Sequence, residues 1–255
     1  MSQLLFETNP HAGAWNMALD EALLESAVNA GRVWLRIYRW EAATVSLGYF
    51  QSAEDESLHN RFAGLPQVRR LSGGGAILHH HEWTYSCHFP ATHPFAREPL
   101  QLYTRVHEAL RSMLADWAIG CRFRGQSHQA AAEPFLCFGR GDSHDLVMEE
   151  VPPALGIHKI VGSAQRRRKG AVAQHGSILL RRSAFAAEFP GLFDLATVPV
   201  TEIEFGETLS LQLALALEIS ATPVVLPQEI QAVARVLEHE RYQTLNWPAA
   251  TLSKT

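Results

Sequence analysis

The chain has 255 residues, 47% of them hydrophobic and 19% charged, with a formal net charge of −4. That is length enough for one large domain or two small ones, and for a sizeable core, in a composition that excludes a disordered chain. The mild acidity argues against a nucleic-acid partner, and no apolar run reaches the roughly 18–20 residues that span a bilayer.

The N-terminal "MSQLLFETNPHAG" lacks the basic start and long apolar core of a signal peptide. Three cysteines, Cys87, Cys121 and Cys137, have no metal-type spacing and fit reduced thiols. The expectation is a cytoplasmic protein, off the membrane and monomeric by default.

Along the chain, "WNMALDEALLESAVNAGR" reads as a helix, with Leu19, Leu23 and Ala27 at helical spacing and Gly31 as its stop. "VWLRIYRW" and "ATVSLGYF" follow as strands. "QVRRLSGGGAILHHHEWTYSCHF" is a strand, a glycine-rich turn and two further extended pieces. "EPLQLYTRVHEALRSMLADWAIG" is a second helix whose stripe is Leu102, Val106, Leu110, Met113 and Trp117, ended by Gly120. Residues 125–144 read as a long polar loop, which in a compact domain is functional or disordered. "DLVMEE", a hairpin over residues 159–180, "SLQLALALEI" and "LPQEIQAVARVLEHERYQ" complete a mixed order of strands and helices. That order predicts one α/β domain: an open mixed sheet with helices packed on it.

Four stretches could carry chemistry. In "RRLSGGGAILH" three glycines let backbone N–H groups converge on an oxygen, and Arg69 and Arg70 could hold an anion or an acyl oxygen; a plain glycine hairpin is as good a reading. In the triplet His79-His80-His81, strand alternation allows only His79 and His81 to share a ligand, and no nearby Cys or Asp completes a metal set. Cys137 is a small buried hydrophobe or a reactive thiol, Lys159 being the candidate cation. The run Arg166-Arg167-Arg168-Lys169 is a solvated hairpin tip or a dock for an acidic partner. Lys159 heads the same hairpin, followed by Gly162-Ser163-Ala164, where something could approach the backbone closely beside a positive charge.

Taken in order, "NMALDEALL", "LRIYRWEAATVSLGYFQ", "RRLSGGGAILH", "EWTYS", "KIVGSAQRRRKGAVAQHGSILL" and "ERYQTLNW" resemble the lipoate–protein ligase and octanoyltransferase family, related in fold to biotin protein ligases. The resemblance spans nearly the whole chain. It implies an α/β (α+β) fold, a mixed β-sheet flanked by helices like that of class II synthetases. It also implies a single catalytic domain over 1–255, without the extra C-terminal domain of many ligases.

By the same resemblance Lys159 contacts the acyl carbonyl or, in ligases, the acyl-adenylate. Gly162, Ser163 and Ala164 form one wall for the substrate and Gly73, Gly74 and Gly75 the facing wall. Arg70, Ser72, His79 and His175 are further substrate contacts, and the C8 chain enters an apolar tunnel. Cys137-Phe138 falls where the Bacillus-type octanoyltransferases carry their catalytic thiol, followed by "HDLVM" where that pattern has an acid, a leucine and a valine.

The branch so implied takes octanoate from octanoyl-acyl carrier protein, holds it on Cys137 and passes it to a lysine of a lipoyl domain or of glycine cleavage H protein. It needs no metal and no cofactor. "SGGG" is closer to the ligase pattern, which would require ATP and magnesium, and His80 stands where members usually carry aspartate. An amidotransferase moving acyl groups between lipoyl domains would use the same thiol.

Overall fold

The structure, a computed structural model, describes residues 2–125, 134–149 and 156–245. Residues 126–133 of the long loop, and 246 and 247 of the C-terminal motif, lie outside them.

The strands are β1 (Ser2–Phe6), β2 (Val33–Tyr38), β3 (Thr44–Leu47), β4 (Gln67–Arg69), β5 (Ile77–His79), β6 (Glu82–Phe89), β7 (Arg122–Phe123), β8 (Leu146–Glu149), β9 (Ile157–Arg168) and β10 (Ala171–Leu179). Seven form one sheet in the order β1-β2-β6-β10-β9-β8-β7, and β4-β3-β5 make a smaller one. Among the described strands only β1–β2 and β3–β4 pair in parallel, so the sheets are mixed, as expected.

Helix α1 (Gly13–Ala30) ends at Gly31, whose φ of 64° is the left-handed stop read from the sequence. After the short α2 (Glu56–Arg61) and α3 (Pro94–Arg97) comes α4 (Pro99–Asp116), whose Leu102, Val106, Leu110 and Met113 are buried on one face of the main sheet. It stops four residues before Gly120. Ala118 turns left-handed at φ 58°, the Ile119 amide donates to the Leu114 carbonyl, and both side chains sit in the core. That apolar contact across the turn lets alanine stand where glycine was expected.

After α5 (Leu192–Leu195), "SLQLALALEI" lies mostly in α6 (Glu202–Ala216) despite its period of two. Thr201 and Glu204 cap its start reciprocally, Leu209 and Leu213 bury beside α4, and the alternate Leu211 and Leu215 are left exposed. The last helix, α7 (Gln228–Leu237), packs Ile230 and Ala234 against Trp15, Leu19 and Leu23 of α1 and runs into a π turn, Glu238–Tyr242. Among the described residues no helix is long and apolar enough to cross a membrane.

The three arginines of the basic run each find a contact within the protein, while Arg167 and Lys169 remain exposed at the tip. Arg168 donates to Glu21 at 2.7 Å, Arg167 to the Ala96 carbonyl at 2.8 Å, and Arg166 lies 4.8 Å over the Tyr49 ring. The turn itself is Lys169-Gly170, at φ 48° and 80°. Glu21 on α1 also takes Arg241 and Tyr242, so one buried carboxylate ties the hairpin tip and the C-terminal turn to α1.

A second buried network sets α1 on the sheet. Arg36 of β2, wholly buried, donates to Glu7, Asp20 and Asn16. Desolvation would raise the Glu7 carboxyl, but Arg36 and His11 outweigh it and hold it at about 2 instead of 4.5. With the folded value below the unfolded one, this stabilisation is complete above pH 4.5 and is lost as pH falls from there towards 2. Glu7→Gln should cost about 3 kcal/mol at neutral pH and flatten the acid limb of stability. Urea unfolding as a function of pH reads both effects, and an unchanged acid limb in the variant would contradict the assignment.

Candidate active site

The site begins with a break in strand pairing. Leu146 of β8 faces Val161 of β9, but the next residue, Val147, faces Lys159, so one residue of β9 is extra at this point. Side chains on a regular strand alternate, which would put Lys159 on the face of Val161, in the core under α4. The bulge reverses it. Ile160 and Val161 both enter that core, and Lys159 turns to the opposite face with Gly162. There its aliphatic stem folds over Gly162: a Cβ at 162 would lie 2.2 Å from Lys159 Cε and 2.6 Å from Nζ. A side chain at 162 would push the end of the lysine out of this position.

The lysine meets a carboxylate. Lys159 Nζ lies 2.9 Å from Asp145 Oδ1, with the side chains 4% and 1% exposed. Burial pushes the Asp145 carboxyl above its ordinary range, against the lowering effect of the Lys159 charge. Asp145 is held by its own loop, accepting the Asp142 amide at 2.8 Å. Phe138 puts its ring 5.1 Å from Lys159 Nζ.

Cys137 comes from the same loop. Its amide donates to the Ala76 carbonyl at 2.7 Å, and the Ala76 amide to the Phe135 carbonyl, so the segment zips onto the end of the glycine stretch. A 3-10 turn, Cys137–Gly139, leaves the cysteine half-buried.

The glycine stretch is shaped from behind. Arg70, 1% exposed, donates to Ser46 O, Ser46 Oγ, Ser72 Oγ, Gly73 O and Gly75 O, which takes up all five guanidinium N–H groups. Arg69 is engaged through Nη1 by the carbonyls of Gly48, Tyr49 and Gln51 and does not line the cavity of this site. The expectation that these arginines hold an anion gives way to a structural role. Arg70 pulls the Gly73 and Gly75 carbonyls inward, Gly74 turns at φ 92°, and among the described residues no hydrogen bond uses the amides of Gly73, Gly74 or Gly75. Burial pushes Arg70 down to about 10, an effect that a thiolate at Cys137 would oppose.

These elements enclose a cavity of about 360 Å³, within the usual range of small-molecule sites. Of the residues expected from the sequence, it brings together Cys137, Lys159, Arg70, Gly73, Gly74, Gly162, Ser163, Ala164 and His175. Ser72 and Gly75 stand behind the wall. Ser72 lies 2.5 Å from His175 Nε2, and desolvation, followed by Arg70, holds His175 neutral at about 3.

His79 is not a substrate contact. It is 1% exposed, stacked 3.7 Å from Trp40, and bonded to Ser46 and Glu82 between the two sheets. Nor do His79 and His81 share a face: β5 ends at His79, and the His80 and His81 rings stack on each other at 3.7 Å.

Cys87 is sealed in the core, and desolvation pushes the Cys121 thiol up to about 11; neither lines the cavity. Sequence reasoning missed Arg140, Asp142, Tyr103 and Gln165 in the lining. Asp145 was visible only as the acid of "HDLVM".

The model of one protein family, the lipoyl protein ligase A/B catalytic domain, matches residues 12–189. The chain belongs to that family. An octanoyltransferase LipM of Brevibacillus brevis is 30% identical over 94% of this chain and 96% of its own. One from Kyrpidia tusciae is 32% identical over 91% and 93%. Among solved structures, the bi-partite lipoate protein ligase of Thermoplasma acidophilum aligns over 100% of this chain and 98% of its own at a TM-score of 0.72, and a lipoate-protein ligase A bound with ATP over 96% and 97% at 0.72. Their identities of 22% and 23% make this a likeness of fold, and it is the fold expected above.

The Lys159–Asp145 pair of this lipoyl-ligase fold gives a stability test. Asp145→Ala leaves a buried ammonium without its partner and should cost about 3–5 kcal/mol in urea unfolding, of which a second change, Lys159→Met, should restore a part. Additive losses would mean that the two groups do not interact.

Proposed function

We propose that the chain is an octanoyltransferase of protein lipoylation that carries the acyl group as a thioester on Cys137. The observation that carries this reading is the placement of one cysteine of three on the cavity that also holds Lys159 and the glycine wall.

In the first half-reaction the Cys137 sulfur attacks the octanoyl thioester of a carrier protein. A C–S bond forms to the acyl carbon, the carrier's C–S bond breaks, and the carrier thiol leaves with the proton. Thioester is exchanged for thioester, so orientation is nearly all the site must supply and no ATP is called for. The oxyanion of the tetrahedral stage falls to Lys159 Nζ and to the unused amides of Gly73 and Gly74. Anchored by Asp145 and resting on Phe138, Lys159 is preorganised for that charge.

In the second half the free ε-amine of a lipoyl-domain lysine attacks the same carbon. The C–N bond forms, the C–S bond to Cys137 breaks, and the amine's proton ends on the thiol. Amide from thioester is downhill, which drives the transfer. Glycine cleavage H protein presents the same kind of lysine and is the alternative acceptor.

The test is turnover with octanoyl-acyl carrier protein, a lipoyl domain and no nucleotide. Octanoylated domain should accumulate, and Cys137→Ser should lower the rate on the order of 10⁴-fold. Transfer from free octanoate or lipoate that depends on ATP and survives Cys137→Ser would overturn this reading in favour of a ligase. No transfer under either condition would overturn it in favour of a binding protein.

A further inference from the structure

His107 of α4 plays no part in the chemistry above, yet it is wholly buried and reaches two pieces of the site at once. Its Nδ1 lies 2.6 Å from the His144 carbonyl, next to Asp145, and its Nε2 lies 2.7 Å from Ser163 Oγ, on the β9 wall. A carbonyl only accepts, so Nδ1 must carry a proton. Desolvation, together with the Lys159 and His144 charges, pushes His107 down to about 4 against the His144 carbonyl and Asp142, which raise it. The ring is therefore neutral at pH 7, and Nε2 accepts from the Ser163 hydroxyl.

Every proton further along is then determined. Ser163 has one hydroxyl proton and gives it to His107, so at 2.6 Å its oxygen accepts from Tyr85. The Tyr85 oxygen accepts from Gln174 Nε2 at 2.7 Å, and Gln174 Oε1 accepts from Gln165 Nε2 at 2.7 Å. Tyr103, one turn before His107, grips the Ser163 backbone at both its amide and its carbonyl, each at 3.2 Å. The result is a one-way chain that runs from Gln165 on β9 through Gln174 on β10, Tyr85 on β6 and Ser163 on β9 to His107 on α4, and ends on the Asp145 loop. A chain with no free choice of orientation holds its members rigidly.

We propose that His107 is a positioning residue for the transfer reaction, fixing the Ser163 wall and the Asp145 loop in one relation so that Lys159 meets its carboxylate beside the acyl carbonyl. The inference rests on the octanoyl-transfer reading for its kinetic consequence and stands apart from it in its structural one. His107→Phe keeps a ring of similar size against Tyr103 and Phe123 but removes both polar atoms.

At temperatures where His107→Phe is folded, kcat for octanoyl transfer should fall about 100-fold while KM for the acyl donor holds. His107→Asn, which retains an amide donor for the His144 carbonyl, should recover part of it. Proton–nitrogen correlation of the histidine rings should show His107 as the Nδ1–H tautomer, neutral at pH 7. An Nε2–H tautomer, a folded His107→Phe with unchanged kcat, or a loss confined to KM would each overturn the proposal. If the wild-type chain transfers no octanoyl group, the transfer reading fails by itself. The reactivity of Lys159 towards an amine reagent then decides for His107: it should rise in His107→Phe, and no rise overturns the proposal.

Discussion

The buried ion pair between Lys159 and Asp145 is the constraint around which the rest of the site is arranged. Taking an ammonium and a carboxylate out of water costs several kcal/mol per ion, and their attraction repays that only with good geometry. A pair of this kind is poor evidence for stability and good evidence for a charge held ready. Three departures from regular structure make it possible. A bulge in β9 turns the lysine away from the core, a glycine at 162 gives its stem room, and the loop of Asp142 brings in the carboxylate.

Buried arginines do the complementary work of shaping the backbone. Arg36 fixes α1 on β2, and Arg69 and Arg70 gather the carbonyls of the turns around Gly48 and Gly73–Gly75. With the carbonyls drawn inward, the glycine amides are left over, and Cys137 is hooked onto the end of the same stretch through Ala76. The thiol, the amides and the ammonium thus come from three distant parts of the chain. The thiol and the amides hang on the small sheet, through Ala76 and through Arg70 on Ser46, the ammonium rides on β9 of the main sheet, and the Ser72–His175 bond ties the glycine stretch to β10.

Much of this was legible in the sequence because periodicity and turn chemistry are local. Helix α1 with its Gly31 stop, the α4 stripe and the β9–β10 hairpin follow from patterns a few residues long, whereas the facing of Gly73 and Gly74 by Gly162–Ala164 across one cavity was implied by the family resemblance. What was not legible depends on partners far away in the chain. Strict alternation gives no sign of the bulge at Lys159, because it is set by pairing with β8. The basic run reads as a solvated tip or a partner dock until Glu21 and Ala96 are brought to it, and His79 reads as a substrate contact until Trp40 and Glu82 enclose it. His107 was hidden inside a helix, although Tyr103 and His107, four apart beside the apolar stripe, were a signal of a polar seam on a buried face.

The central claim is that this cavity holds an acyl group on Cys137 without nucleotide. The most direct measurement traps that state: octanoyl-acyl carrier protein is added to the protein with neither ATP nor acceptor, the mixture is quenched in acid, and intact mass and peptide mapping follow. The account expects one added octanoyl group on the peptide bearing Cys137, released by hydroxylamine. An unmodified chain, or an octanoyl group on any other residue, would contradict it.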